Sequence, residues 1–150
     1  MKRTVLTLFL TLFLAAVAGA DEGLIQLKSP YTVAQTLDRF ERAVRAKGMK
    51  VFNRIDHAAG AASVNRKLRP TELLIFGNPK IGTLLMQSRP TAGIDLPMKA
   101  LAWQDASGQV WLTYNDPAYI AQRHGIGDRD AVVAKMRKAL RAFSSAATRP

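Results

Sequence analysis

The sequence predicts an α+β domain, an antiparallel sheet with helices packed on one face. Three observations carry this. Segments with period two alternate with segments of period 3.6, two alternating runs (KALAWQ and QVWLTYN) flank a short turn, and no Gly-rich phosphate loop follows any strand.

Each element has its own signal. GLIQLKS alternates Leu24, Gln26 and Lys28 against Ile25 and Leu27, a short strand that Pro30 ends. Thr32 and Gln35 have the spacing of a capping box, and Val33, Leu37, Phe40 and Val44 recur at helical intervals until Gly48. The opposite face carries Asp38/Arg42 and Glu41/Arg45 at the four-residue spacing of surface ion pairs, so these charges read as solvated. MKVFNRID returns to period two, with Val51, Asn53 and Ile55 opposite Phe52 and Arg54. The small residues at 57–65 suit one or two helical turns.

TELLIFG is nearly continuous in apolar residues, which predicts a central strand covered on both faces. Gly77-Asn78-Pro79 breaks it, Ile81, Leu84 and Leu85 then fit a short amphipathic helix, and Arg89-Pro90 stops that in turn. In the hairpin, a turn over Asp105-Ala106-Ser107-Gly108 stacks Leu101 and Trp103 with Val110, Leu112 and Tyr114, and sends Trp111 and Thr113 to the other face. Asn115-Asp116-Pro117 starts a helix with a side-chain cap and a proline in its first turn. The last helix, 130–144, is expected to bury Val132, Val133, Met136, Leu140 and Phe143.

The ends bound the function. Lys2 and Arg3, an apolar run over 5–17 and Ala18-Gly19-Ala20 form the pattern of a secretory signal peptide, with cleavage expected after Ala20. Residues 21–150 then form a single exported domain, with a bacterial periplasm as the expected compartment. The chain contains no cysteine, so packing alone must hold it together in an oxidising environment. Outside the leader, 20 Lys and Arg face 11 acids, a net charge of +9. Export sets nucleic acid aside as a partner and leaves an anionic envelope lipid surface or acidic partners, against the plainer reading of solvated basic helix faces.

The blocks MKVFNRIDHAAGA, LRPTELLIFGNPKIGTLLMQ, AGIDLPMKALAWQD and GQVWLTYNDPAYIAQRHGI, in that order, resemble domain-of-unknown-function family 302 (DUF302) over residues 23–126. The resemblance implies a fold similar to the TBP-like β-α-β(4)-α arrangement and a tendency to form homodimers, and no established activity. Two positions depart from the family's pattern: Gln104 stands where an acid is common, and Asn65-Arg66 where glycine is expected.

Adjacent Asp56 and His57 are the obvious catalytic candidates. Neighbours on a strand point to opposite faces, and no elbow serine, cysteine or second histidine at fixed spacing accompanies them, so a turn-stabilising role competes with catalysis. For a metal, His57 with Met86 would suit copper, but no repeated ligand spacing supports the pair. The remaining reading is a pocket in which loop residues meet: Asp56, His57, Asn78, Pro79, Asp95, Asn115 and Asp116 all fall near strand ends and would converge near Met86 and Trp103. Asn-Pro and Asp-Pro are also turn signals in their own right. The residues therefore favour a module that binds a small molecule or an envelope protein, with an envelope enzyme as the alternative; no residue pattern names a cofactor.

Overall fold

The computed structural model describes residues 23–150; the expected leader and its expected cleavage position fall in 1–22, outside the described residues. The elements run β1 (Leu24–Ser29), α1 (Val33–Ala46), β2 (Lys50–Asp56), α2 (His57–Ser63), β3 (Thr71–Gly77), α3 (Pro79–Ser88), a 3-10 turn (Pro90–Ile94), β4 (Met98–Gln104), β5 (Val110–Asn115), α4 (Pro117–His124) and α5 (Asp130–Thr148). The five strands form one antiparallel sheet in the order β1-β5-β4-β3-β2. β2 to β5 are a meander, and α1 carries the chain from the β1 edge to the β2 edge across one face of the sheet.

That face holds the main core. Thr32 and Gln35 close the capping box of α1, which buries Val33, Thr36, Leu37, Phe40 and Val44. Against them lie Leu74 and Phe76 of β3, Ala100 and Ala102 of β4, and Leu112 and Tyr114 of β5, with Leu140 and Phe143 of α5 completing the layer. The Phe40 ring meets Phe76 and Phe143 edge-on, with centroids 5.1 Å and 6.1 Å away. At the β1 end, the buried Ser29 and Thr36 hydroxyls satisfy one another at 2.7 Å.

Several expectations need correction. The hairpin loop has one residue more than its turn signal suggests: Gln104 pairs with Val110, so Trp103 lies opposite Trp111 and on the same face. The two indoles stack with centroids 6.4 Å apart, while Ala100 and Ala102 take the core positions expected of Leu101 and Trp103. Asp105 enforces this longer loop, accepting from the Ser107 and Gln109 backbone N–H groups and from Trp111 Nε1, with Gly108 at φ 86°. In β2 the alternation breaks, because Val51 pairs with Phe76 and Asn53 with the adjacent Ile75, leaving Phe52 as an extra, bulged residue. Arg54 consequently joins Val51 on the helix side, where it bridges Asp38 of α1 and Glu72 of β3. Asp38 is thus drawn across to the sheet, whereas Glu41 and Arg45 do pair along the helix at 2.8 Å.

β3 is an interior strand but is fully covered on one face only. Leu74 and Phe76 are buried, whereas Leu73 and Ile75 on the other face are half-exposed. Leu101, Trp103 and Trp111 continue that half-exposed apolar strip. Helix α5 runs to Thr148, past the expected end, because Ser144, Ala147 and Thr148 are still buried. Val132 and Met136 are only partly covered. Asn65 adopts φ 57° in the loop after α2, the left-handed conformation for which asparagine is the usual substitute for glycine. Among the described residues no helix is long and apolar enough to cross a membrane.

Candidate functional site

Strand register divides the expected site residues into two groups. Lys50 pairs with Gly77, Phe76 with Met98 and Leu24 with Asn115, so Asn78, Pro79, Met86, Asp95, Asn115 and Asp116 belong to one end of the sheet. Asp56 pairs with Glu72, and Thr71 with Trp103, which puts Asp56, His57 and Trp103 at the other end, a strand length of about 20 Å away. The seven loop residues therefore do not converge, and His57 does not meet Met86.

At the far end the chemistry is that of a turn. Asp56 caps α2, accepting from Ala59 N at 2.9 Å, and His57 is exposed in the first turn of that helix. Trp103 donates Nε1 to the Thr113 hydroxyl on the open sheet face.

The near end holds a cavity of about 650 Å³, within the range of small-molecule sites. It lies under α5, between the end of α1, the start of β2, α3 and the loop before β4. Every methionine except Met1 lines it: Met49, Met86, Met98 and Met136. Phe52, Phe76 and Phe143 add aromatic wall. The bulge in β2 puts Phe52 here and leaves it 44% exposed. Gly77 lies behind it: a Cβ at that position would stand 3.6 Å from the Phe52 ring and 3.4 Å from Pro97, in ordinary van der Waals contact with both. Of the expected site residues, Asn78, Pro79 and Met86 belong to this cavity, with Asn78 also capping α3 through Lys80 N at 3.0 Å.

Asp95 acts beside the cavity. Its carboxylate accepts from Arg123 Nη1 at 3.2 Å and meets His124 Nε2 at 2.7 Å, while His124 Nδ1 lies 3.0 Å from the Thr91 hydroxyl. The His124 side chain is only 6% exposed. This chain of contacts ties the 3-10 turn to α4, and the next two residues, Leu96 and Pro97, form cavity wall. Thr91, His124 and Asp95 are the side-chain types of a hydroxyl–imidazole–carboxylate relay, but Thr91 is exposed on a short turn and does not line the cavity. The geometry is that of a clamp positioning the 95–97 loop. Asp116 has a comparable duty, capping α4 through Ala118 N and pairing with Arg137 Nε at 2.9 Å, and Asn115 ends β5 opposite Leu24. Among the described residues, no three His, Cys, Asp or Glu side chains gather as a metal site.

Sequence reasoning missed His124 as the partner of Asp95, 29 positions away, because nothing local links them. It also missed Phe52, since a bulge has no signature in an alternating run. The one readable signal was the set of four methionines, each of which is unremarkable by itself.

The profile of the family described as "Domain of unknown function DUF302" matches residues 25–143. A crystal structure of an uncharacterized conserved DUF302 protein from Bacillus stearothermophilus superposes with a TM-score of 0.75 at 16% identity, covering 83% of this chain and 97% of that one. The likeness shows a shared fold. Among curated proteins, the fluoride-specific ion channel FluC 1 of Brucella suis is 54% identical over 107 residues, which are 71% of this chain and 42% of the relative. FluC 1 of Brucella abortus has the same identity over 71% of this chain and 40% of its own length. The match thus spans about two fifths of these relatives.

Proposed function

The chain belongs to the DUF302 family, and on that premise we propose that it is an exported binding module whose ligand site is the methionine-lined cavity. The observation that carries this reading is the cavity wall itself. Four flexible thioethers and three phenyl rings surround about 650 Å³ of space at one end of the sheet, and methionine walls adapt to irregular apolar ligands. The catalytic alternative lacks comparable support, because Asp56 and His57 stand on a capping turn away from this space. The leader-like segment 1–20 supports export.

The test uses Nile red, a neutral apolar dye, with the purified protein. Saturable one-to-one binding is expected, and Ala139→Trp, which adds bulk to the α5 wall, is expected to abolish it while the far-UV spectrum is unchanged. Equal dye binding by the filled variant, or no saturable binding by the parent, overturns the reading.

The named relatives favour a second reading, in which the partner is a protein. Proteins called fluoride-specific ion channels contain a segment closely similar to this chain, so a fluoride channel is a candidate partner. The half-exposed strip of Leu73, Ile75, Leu101, Trp103 and Trp111 offers a docking face. Size-exclusion chromatography of the protein with a detergent-solubilised fluoride channel should give a joint peak that Trp111→Glu removes. Separate elution overturns this reading, and a Trp111-dependent homodimer in place of the joint peak assigns the face to a second copy.

A further inference from the structure

We infer that the cavity takes a single-chain amphiphile with an anionic head, a fatty carboxylate, an assignment that rests on the binding-module reading above. The cavity is chemically two-sided. Its walls are methionine and phenylalanine, but Lys47, Lys135 and Lys138 also line it, and no lining residue is acidic. All three lysines are exposed, and among the described residues none is ion-paired. Lys135 and Lys138 are three residues apart on α5, so their stems share one helix face and their charges repel unless an anion lies between them. Lys47 stands at the end of α1. A fourth cation, Lys50, holds its ammonium 5.0 Å from the ring centroid of Phe52, the bulged residue of the cavity wall. An apolar ligand with a cationic head would meet this charge at close range, and a neutral one would leave it unanswered.

Volume sets the rest of the ligand. At about 30 Å³ for a water-sized group, 650 Å³ holds roughly twenty such groups, enough for one acyl chain of 12–18 carbons. Thioether side chains suit a flexible alkyl chain because they repack around whichever bends it adopts. The lysine stems extend the apolar wall outward while their ammonium groups stay in water at the head-group level.

Calorimetric titration of the intact protein with dodecanoate, dodecanol and dodecyltrimethylammonium, which share one chain length, separates head-group charge from chain burial. Dodecanoate should bind about tenfold tighter than dodecanol at low ionic strength, with the cationic amphiphile weakest, and added salt should shrink the ratio. In the Lys47→Gln/Lys135→Gln/Lys138→Gln variant, which keeps Lys50, the ratio should fall from about ten to about two. Equal affinity for all three ligands overturns the anionic assignment and leaves the apolar site standing. Binding of none of them overturns both readings. An undiminished dodecanoate preference in the triple variant removes the lysines from the assignment. Sedimentation with phosphatidylglycerol vesicles without any dodecanoate binding in solution replaces the free carboxylate by a membrane surface.

Discussion

Replacing Phe40 by alanine tests the layer arrangement on which the cavity depends. The Phe40 ring is fully buried in α1 and meets one ring from the sheet, Phe76, and one from the closing helix, Phe143. Removing a buried phenyl ring costs about 3–5 kcal/mol, through lost transfer free energy and the cavity left behind. Two edge-to-face contacts, each worth about 0.5–1.5 kcal/mol beyond burial, place the expectation near the upper end, about 4–5 kcal/mol. A domain of this size has roughly 6–19 kcal/mol of total stability at about 0.05–0.15 kcal/mol per residue. Urea unfolding should therefore show a greatly lowered midpoint with an unchanged m-value. Phe52→Ala is the internal control: its ring is 44% exposed at the bulge, so it should cost under about 1 kcal/mol while weakening ligand binding. A loss below about 2 kcal/mol for Phe40→Ala, or equal losses for the two variants, would refute the proposition that α1 and α5 close a common core over β3.

The remaining predictions concern the turns. Hydrogen bonds from the Ser107 hydroxyl and from Trp111 hold the Asp105 carboxyl down to about 2, against an ordinary 3.8. A depressed carboxylate stabilises the fold above its unfolded value and loses that contribution as pH falls through the folded one, so the melting-temperature advantage over Asp105→Asn should shrink between about pH 4 and pH 2. A pH-independent difference would sink this account. The Asp56→Ala/His57→Ala double variant should lose about 0.5–2 kcal/mol of stability from the α2 cap, yet bind Nile red and dodecanoate as the parent does; lost binding would return these residues to the site. Gly23→Ala should cost about 1–3 kcal/mol, because φ is +87° and the new Cβ would fall 2.2 Å from Tyr119 Cγ. An unaltered melting temperature would show that the start of β1 is not seated against α4.

What the chain discloses by itself depends on how far apart the interacting residues lie. The capping box of Thr32 and Gln35, the proline starts of α3 and α4 and the apolar stripe of α1 act within a few residues, and each is formed as its spacing predicts. Register is less local. One extra loop residue decides whether Trp103 faces Val110 or Trp111, and because strand side chains alternate, that single residue moves Trp103 from the core to the open face. The bulge at Phe52 has the same arithmetic, and it also shapes the cavity wall: without the extra residue there, the register would not shift between Val51 and Asn53, and the Phe52 ring would take an ordinary place in the alternation. The site is less legible still, because Met49, Met86, Met98 and Met136 belong to four separate parts of the chain and meet only after β2, α3, β4 and α5 are assembled. Asp56 and His57 attracted notice because they are neighbours in sequence, yet strand geometry separates them from that assembly. Asp95 and His124 are 2.7 Å apart with no sequence adjacency at all. For this fold, then, the cavity wall is better sought in residues of one chemical kind that are scattered between elements than in reactive pairs that happen to be adjacent. The lysine charges answer the same logic, since Lys47 and the Lys135/Lys138 pair come from the two helices that close the core, and only the packing of α1 with α5 gives a single ligand the opportunity to meet both.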